Sequence, residues 1–302
     1  MKNRILFFFG ITLLLIFSGC SSKKSDVLFS NATKSPRSKI LFDFDWKFHR
    51  GDVENGEAVS LNDSLWRLVD LPHDWSVEDL PGTNSPFDST AIGGIDAGYL
   101  VGGTAWYRKE FEVPAKLEGK KLFIYFEGVY MNSDVWLNGE HLGNHPYGYT
   151  EFGFDISEKI NFGEKNVFAV EVKNKGRNSR WYSGSGIYRH VWITVTNPVY
   201  LKKWGTKVTT PVVSESSATV KIETNVINES DTEISLLTTL YDKNGNAVGK
   251  DEAQSIESIN SININQNIII KDPELWSPEA PTLYSAVTEI IDANAKVIDK
   301  LT

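Results

Sequence analysis

The sequence predicts an all-β chain, with a sandwich or barrel followed by an immunoglobulin-like sandwich. Three observations carry this. Apolar and polar residues alternate at the two-residue period of half-buried strands, Asn-Gly pairs stand between such runs, and no apolar pattern of helical period and length interrupts them.

The first strong run is Phe42 to His49, where Phe42, Phe44, Trp46 and Phe48 alternate with Asp43, Asp45, Lys47 and His49, which predicts one strand. Further strands are predicted at Trp106 to Val113, Leu122 to Phe126, Ser133 to Leu137, Phe152 to Ile156, Val167 to Val172 and His190 to Val195. The clearest local signal lies between Phe126 and Ser157. There Val135-Trp136-Leu137 lead into Asn138-Gly139, a pair that tolerates positive φ at both central positions and so predicts a two-residue hairpin turn. The partner strand is expected to stop at Gly143, before a loop with Pro146 and Gly148 that is rich in aromatics. Between Trp75 and Thr104 the chain has eight glycines and prolines, and a loop of that length in a compact domain is usually functional or mobile.

After Asn197-Pro198 tryptophan thins out, and Val220, Ile222, Thr224 and Val226 begin a second alternating series. Ile234 to Tyr241, a second Asn-Gly turn at Asn244-Gly245, Ile262 to Ile270 and Leu283 to Ile291 continue it, giving the strand count of an immunoglobulin-like sandwich. Lys296 to Thr302 is strand-like and stops with the chain, so this second sandwich is expected to lack its last strand. The domain limits follow as 39–198 and 199–302.

At 302 residues the chain has room for about two domains. Apolar residues make up 41% and aromatics 12%, which excludes disorder for most of it. Without Met1 to Gly19, which holds Lys2 and Arg4 and no acid, the formal charge goes from −8 to −10, and such a surface suits neither nucleic acid nor anionic lipid. Lys2 and Arg4 before the apolar run Ile5 to Phe17 form a secretory leader, too short for a spanning helix. Phe17-Ser18-Gly19-Cys20 resembles a bacterial lipobox, which makes Cys20 the lipidated N-terminus of an exported, outer-membrane-anchored lipoprotein; a plain signal with an incidental cysteine is the alternative. Residues 1–20 are then the signal peptide and 21–38 a flexible tether. Cys20 is the single cysteine, so lipidation leaves no thiol for a disulfide, a metal or catalysis.

Candidate chemistry is sparse. Gly184-Ser185-Gly186 feeds a predicted strand and not a helix, unlike a nucleophile elbow. His141 and His145 flank a hairpin and a proline loop, where four-residue spacing does not bring two ligands together, and no helix follows a glycine run to cradle phosphate. Loop aromatics are more informative: Trp75, Tyr99, Tyr147, Tyr149, Trp181 and Tyr182 offer flat faces for sugar C–H groups, and Asn178-Ser179-Arg180-Trp181 adds hydrogen-bonding partners for hydroxyls. Packing under loops is the competing account for each ring taken singly.

Five segments carry a family resemblance: Leu71-Pro72-His73-Asp74-Trp75, Trp106-Tyr107-Arg108-Lys109, Phe126 to Ser157, Trp181 to Arg189, and Pro273-Glu274-Leu275-Trp276-Ser277-Pro278. In order and spacing they resemble the N-terminal part of glycoside hydrolase family 2, its β-galactosidase-like members in particular. The resemblance implies a jelly-roll sugar-binding domain, then an immunoglobulin-like sandwich, then a catalytic barrel carrying an Asn-Glu acid/base and a second Glu as nucleophile. The one Asn-Glu here, Asn228-Glu229, falls in a loop of the second sandwich, so the chain alone is expected to be inactive. The resemblance further implies that Asn178, Arg180 and Trp181 edge a sugar site and that a β-galactoside-containing glycan is the partner. Trp276 reads structurally as an anchor of the second core, and the sequence calls for no cofactor or metal. Homo-oligomer contacts are a further possibility for such sandwiches. Two functions stay open: part of a lipid-anchored glycosidase, or a free-standing carbohydrate-binding lipoprotein.

Overall fold

The computed structural model describes residues 28–32, 34–177, 181–230, 233–256 and 261–302. Ten strands build the first unit: β1 (Ser38–Leu41), β2 (Trp46–Arg50), β3 (Arg67–Val69), β4 (Gly103–Glu112), β5 (Lys121–Phe126), β6 (Ser133–Leu137), β7 (Glu140–His145), β8 (Phe152–Asp155), β9 (Lys165–Asn174) and β10 (Val191–Thr196). They pair antiparallel into a four-stranded sheet, β1-β10-β5-β8, and a six-stranded sheet, β3-β2-β4-β9-β6-β7. One apolar core joins the two sheets, with inward rows such as Leu122, Ile124 and Phe126 on β5 facing Val135 and Leu137 on β6. Phe42, Phe111 and Phe168 pack ring on ring at its centre.

The run Phe42 to His49 is not one strand. β1 belongs to the four-stranded sheet and β2 to the six-stranded one, so the chain must turn between them. Asp45 makes that turn with a left-handed φ of 59°, and Phe44 points outward at 55% exposure. The buried Asp43 carboxylate secures the corner by accepting from the Val191 amide at 2.8 Å and from His190 Nδ1 at 2.6 Å. Alternation alone does not reveal such a corner, because Phe42 and Trp46 remain inward on either side of it.

Residues 28–32 and 34–37, within the stretch that the sequence reads as tether, make contacts with both sandwiches. Phe29 and Ala32 are buried in the first core, and the Arg37 guanidinium is bound within the second sandwich.

The second unit comprises β11 (Val199–Val213), β12 (Ser217–Asn228), β13 (Ile234–Tyr241), β14 (Ala247–Ile256), β15 (Ile262–Lys271), β16 (Ser285–Asp292) and β17 (Val297–Leu301). The sheets are β11-β12-β15 and β14-β13-β16-β17, and the terminal segment β17 is an edge strand paired with β16. Its core is divided. Val199, Leu201, Leu236 and Ile290 form one apolar cluster, and Val220, Ile222, Leu240 and Ile268 another. Buried polar groups lie on these same strands: Thr238 donates to Gln266 Oε1 at 2.6 Å and meets the Thr288 hydroxyl at 3.0 Å, while Gln266 Nε2 reaches the Asp251 carbonyl at 2.8 Å. Trp276, expected as a core anchor, is instead 59% exposed. It sits on the irregular connection before β16, beside an apolar cleft of about 620 Å³ lined by Val208, Val213, Leu275 and Tyr284.

Candidate carbohydrate-facing site

Four connections converge at one edge of the first sandwich: the long β3–β4 loop, the β5–β6 and β7–β8 turns, and the β9–β10 connection. Backbone bonds tie the first to the last, since the His73 amide donates to the Ile187 carbonyl at 2.8 Å and the Trp75 amide to the Ser185 carbonyl at 3.0 Å. Tyr130 and Gly186 exchange a further backbone pair. Asp74 is the hub of this clasp. Its Oδ1 accepts from the amide and hydroxyl of Ser76, at 2.9 and 2.6 Å, and from the Ser185 amide at 2.8 Å, while Oδ2 accepts from the Tyr182 hydroxyl at 2.9 Å. Partial burial and this bond to Asp74 push the Tyr182 hydroxyl up to about 12, so it remains a donor at neutral pH.

The glycines of the 182–189 segment are explained by closeness. A Cβ on Gly184 would collide with the Asp74 carboxylate, and one on Gly186 with the His73 carbonyl and the Tyr107 hydroxyl. Ser185 is fully buried, its hydroxyl accepting from Asn174 Nδ2 at 2.8 Å, so it has no exposure to act as a nucleophile. Behind the clasp, His73 links the buried Tyr107 hydroxyl at 2.7 Å to Glu78 at 2.9 Å, and Arg67 holds both Glu78 oxygens at 2.7 and 2.8 Å.

In front of it opens a cavity of about 370 Å³, bordered by Ser76, Asp88, Thr90, Asn174, Arg177 and Ser183. Hydrogen bonds from the Thr90 hydroxyl and amide hold the Asp88 carboxyl below its ordinary range, which keeps it an acceptor. Arg177 lies 3.6 Å from Asp96 across the rim. These hydroxyl, amide, carboxylate and guanidinium groups share a concave surface with Ala91, Ile92, Leu100 and Val101, so hydrogen-bonding partners for sugar hydroxyls stand beside apolar lining for C–H faces.

Of the expected sugar contacts, Asn178 and Arg180 lie outside the described residues, as does Cys20. Trp181, at 77% exposure, stands where the chain re-enters next to Tyr182. Among the loop aromatics Trp75 is buried in the core, whereas Tyr99, Tyr147, Tyr149 and Tyr182 are exposed. His141 and His145 are separate, the first bound to Asp134 at 2.9 Å and the second to Thr150 at 3.0 Å. The rim residues Asp88, Thr90, Asn174 and Arg177 were not singled out by sequence; the one local sign is Asp88-x-Thr90, the spacing of a side-chain-capped turn. Arg189 is exposed over the Tyr188 ring, and Glu229 is an exposed partner of Lys121 at 2.9 Å between the sandwiches.

Residues 89–198 match the model of the sugar binding domain of glycosyl hydrolases family 2, and residues 199–302 match a second model of glycosyl hydrolases family 2. The chain belongs to glycoside hydrolase family 2. A β-galactosidase of Bacteroides ovatus is 39% identical over 277 residues, covering 90% of this chain and 32% of the relative. A β-glucuronidase of Formosa agariphila is 33% identical, covering 88% and 29%. Among solved structures, a family 2 glycosyl hydrolase from Bacteroides cellulosilyticus superposes with a TM-score of 0.82 at 44% identity, covering 87% of this chain and 34% of that one. This family 2 chain thus spans about a third of the length of these relatives, and corresponds to their N-terminal sugar-binding and immunoglobulin-like domains.

Proposed function

We propose that this chain is the carbohydrate-facing N-terminal portion of a glycosidase that hydrolyses β-galactosides or related β-glycosides with retention. The supporting observation is the cavity bordered by Asp88, Thr90 and Arg177 at the clasped edge of the sugar-binding domain, with Trp181 exposed on the same β9–β10 connection as Arg177 and Ser183. Asn178, Arg180 and Trp181 would border the sugar there, Trp181 by stacking and the other two by hydrogen bonds. A retaining mechanism needs two carboxyl groups about 5 Å apart across the glycosidic bond, and Glu229, committed to Lys121, is not placed for that role. The purified 302-residue chain should therefore leave an aryl β-galactoside intact while binding galactosides. Turnover that disappears in Glu229→Gln would overturn this assignment of the chemistry.

Binding separates this reading from a free-standing carbohydrate-binding lipoprotein, which the exposed rings at Trp181, Tyr147 and Tyr149 also support. Calorimetry against galactosides should give weak affinity that drops about tenfold, roughly 1.4 kcal/mol, in Trp181→Ala. Tight binding to an intact glycan would favour the free-standing form instead. Export and anchoring through Cys20 are part of the proposal. Radiolabelled fatty acid should enter the wild-type chain in its bacterial host and not Cys20→Ala, and equal labelling of both would remove the anchor.

A further inference from the structure

A second recognition surface lies where the two sandwiches meet. On the outer face of the four-stranded sheet, Trp192, Tyr125 and Gly153 form a cross-strand row, because Trp192 is registered with Tyr125 and Tyr125 with Gly153. Gly153 leaves the space beside the Tyr125 ring without a side chain, and a Cβ there would strike the Ile124 carbonyl oxygen. The start of β11 runs across this face, bringing Tyr200 against Phe123 with ring centres 5.3 Å apart and Trp204 against Tyr125 at 5.9 Å. A groove of about 320 Å³ remains, lined by Tyr125, Tyr200, Trp204, Arg37, Lys202 and Lys203.

β11 is deformed at this point. Its pairing with β12 shifts register between Leu201 and Thr206, and Trp204 takes a left-handed φ of 56°, an unfavourable conformation for a residue with a Cβ. Bulges of this kind re-aim side chains. Here Lys203 and Trp204 are directed onto the first sandwich, and Trp204 nonetheless remains 63% exposed.

Lys203 differs from its charged neighbours. Its ammonium lies 2.7 Å from the centre of the Tyr125 ring and 5.1 Å from that of Trp204, and among the described residues it has no hydrogen-bond or ion-pair partner. Other groups facing it are engaged. Arg37 holds Asp299; Glu151 accepts from the Tyr125 hydroxyl and from Trp204 Nε1; Glu127 accepts from Trp192 Nε1 and lies 3.9 Å from Lys39; Asp155 lies 3.7 Å from Lys121. Lys202 and Arg189 complete the charged groups of this face. Burial lowers the Lys203 pKa to about 8, with Glu151 and Glu127 opposing the shift and Lys39 and Arg37 adding to it. Lys203 stays exposed to solvent at the mouth of the groove with no direct counter-ion among the described residues, so an anion brought there would meet an unpaired ammonium beside an open indole face.

We propose that this groove binds an anionic sugar, its ring stacked on the Trp204 indole and its carboxylate or sulfate paired with Lys203. The assignment is independent of the cavity bordered by Asp88, Thr90 and Arg177. Titrations of the full chain with glucuronate, glucose 6-sulfate and glucose, followed by calorimetry and by indole chemical shifts, test it. At least one of the two anions should bind at millimolar concentration, with glucose at least tenfold weaker, and the arm that binds identifies the acidic group. Lys203→Met should remove binding, Lys203→Arg should retain it, Trp204→Ala should weaken it, and Trp181→Ala should leave it unchanged. Affinity should also fall as pH rises through about 8, when Lys203 loses its proton. Absence of binding by both anions would overturn the proposal, as would binding kept in Lys203→Met or lost in Trp181→Ala.

Discussion

Gly186 has a backbone φ of 135° and lies so close to the His73 carbonyl and the Tyr107 hydroxyl that no side chain fits. Neither the backbone pair it makes with Tyr130 nor the packed rings beneath can yield without opening the clasp. Gly186→Ala should therefore cost about 2–4 kcal/mol of stability in urea unfolding, and a loss below about 0.5 kcal/mol would contradict this packing. His73, one residue before the hub aspartate, carries a pH prediction. Burial lowers its pKa, with the Glu78 hydrogen bond opposing in part. The unfolded chain, at the ordinary value of 6.5, then takes up a proton before the folded chain does, so stability is full above that pH and declines below it. His73→Gln should flatten the fall in melting temperature between about pH 7.5 and about pH 5.5. An acid slope identical to wild type would refute the role given to His73.

At the scale of single elements, the β6–β7 hairpin is specified twice. Asn138 and Gly139 take left-handed φ values of 53° and 82°, as an Asn-Gly turn requires. The Asn138 side chain also leaves the turn, donating to the Lys159 carbonyl and Asn166 Oδ1 and accepting from the Val167 amide, each at 2.9 Å. Those bonds attach the hairpin to β9. Asn138→Ala should cost about 2–3 kcal/mol, from three lost hydrogen bonds and a left-handed alanine. Gly139→Ala, with nothing nearer than 3.9 Å to its missing Cβ, should cost only about 1 kcal/mol. Equal costs in chemical denaturation would mean that the side-chain bonds carry no weight. The hairpin was legible because Asn-Gly acts locally, although β7 runs on to His145, past the expected end at Gly143. β11 gives no sequence signal, because its residues from Lys202 to Val213 are mostly exposed and show no one-sided apolar row. β3 has three residues, too few for a period to register.

Across the whole molecule, the sandwiches are joined by a charged clamp. Arg37 donates to both Asp299 oxygens, at 2.9 and 2.6 Å, and to the Leu201 carbonyl at 2.6 Å, while the Leu201 amide donates to Asp299 at 2.7 Å. Asp299 is wholly buried and the Arg37 side chain is 16% exposed. Asp299→Ala would strand the guanidinium and should cost about 3–5 kcal/mol. Calorimetry should then resolve two melting transitions where the wild type shows one, and a single unchanged transition would show that the clamp does not couple the units. The partners are far apart in sequence, one in a stretch that reads as tether and the other on the edge strand β17, so no pattern in the chain announces the pair.

The sequence by itself determined what depends on near neighbours and on ordered motifs: the all-β class, most strands, the Asn-Gly turns and the family. Period-two patterning and turn chemistry act over a few residues, and so can be read from a string. Tertiary structure alone decided what depends on residues brought together from distant positions. It turned Phe42 to Trp46 into a corner between sheets, packed Phe29 into the core, and left Trp276 in the open. It also made Asp74 the hub of the clasp and set Lys203 on the Tyr125 ring, because burial and charge pairing follow from distance in space and not from separation along the chain.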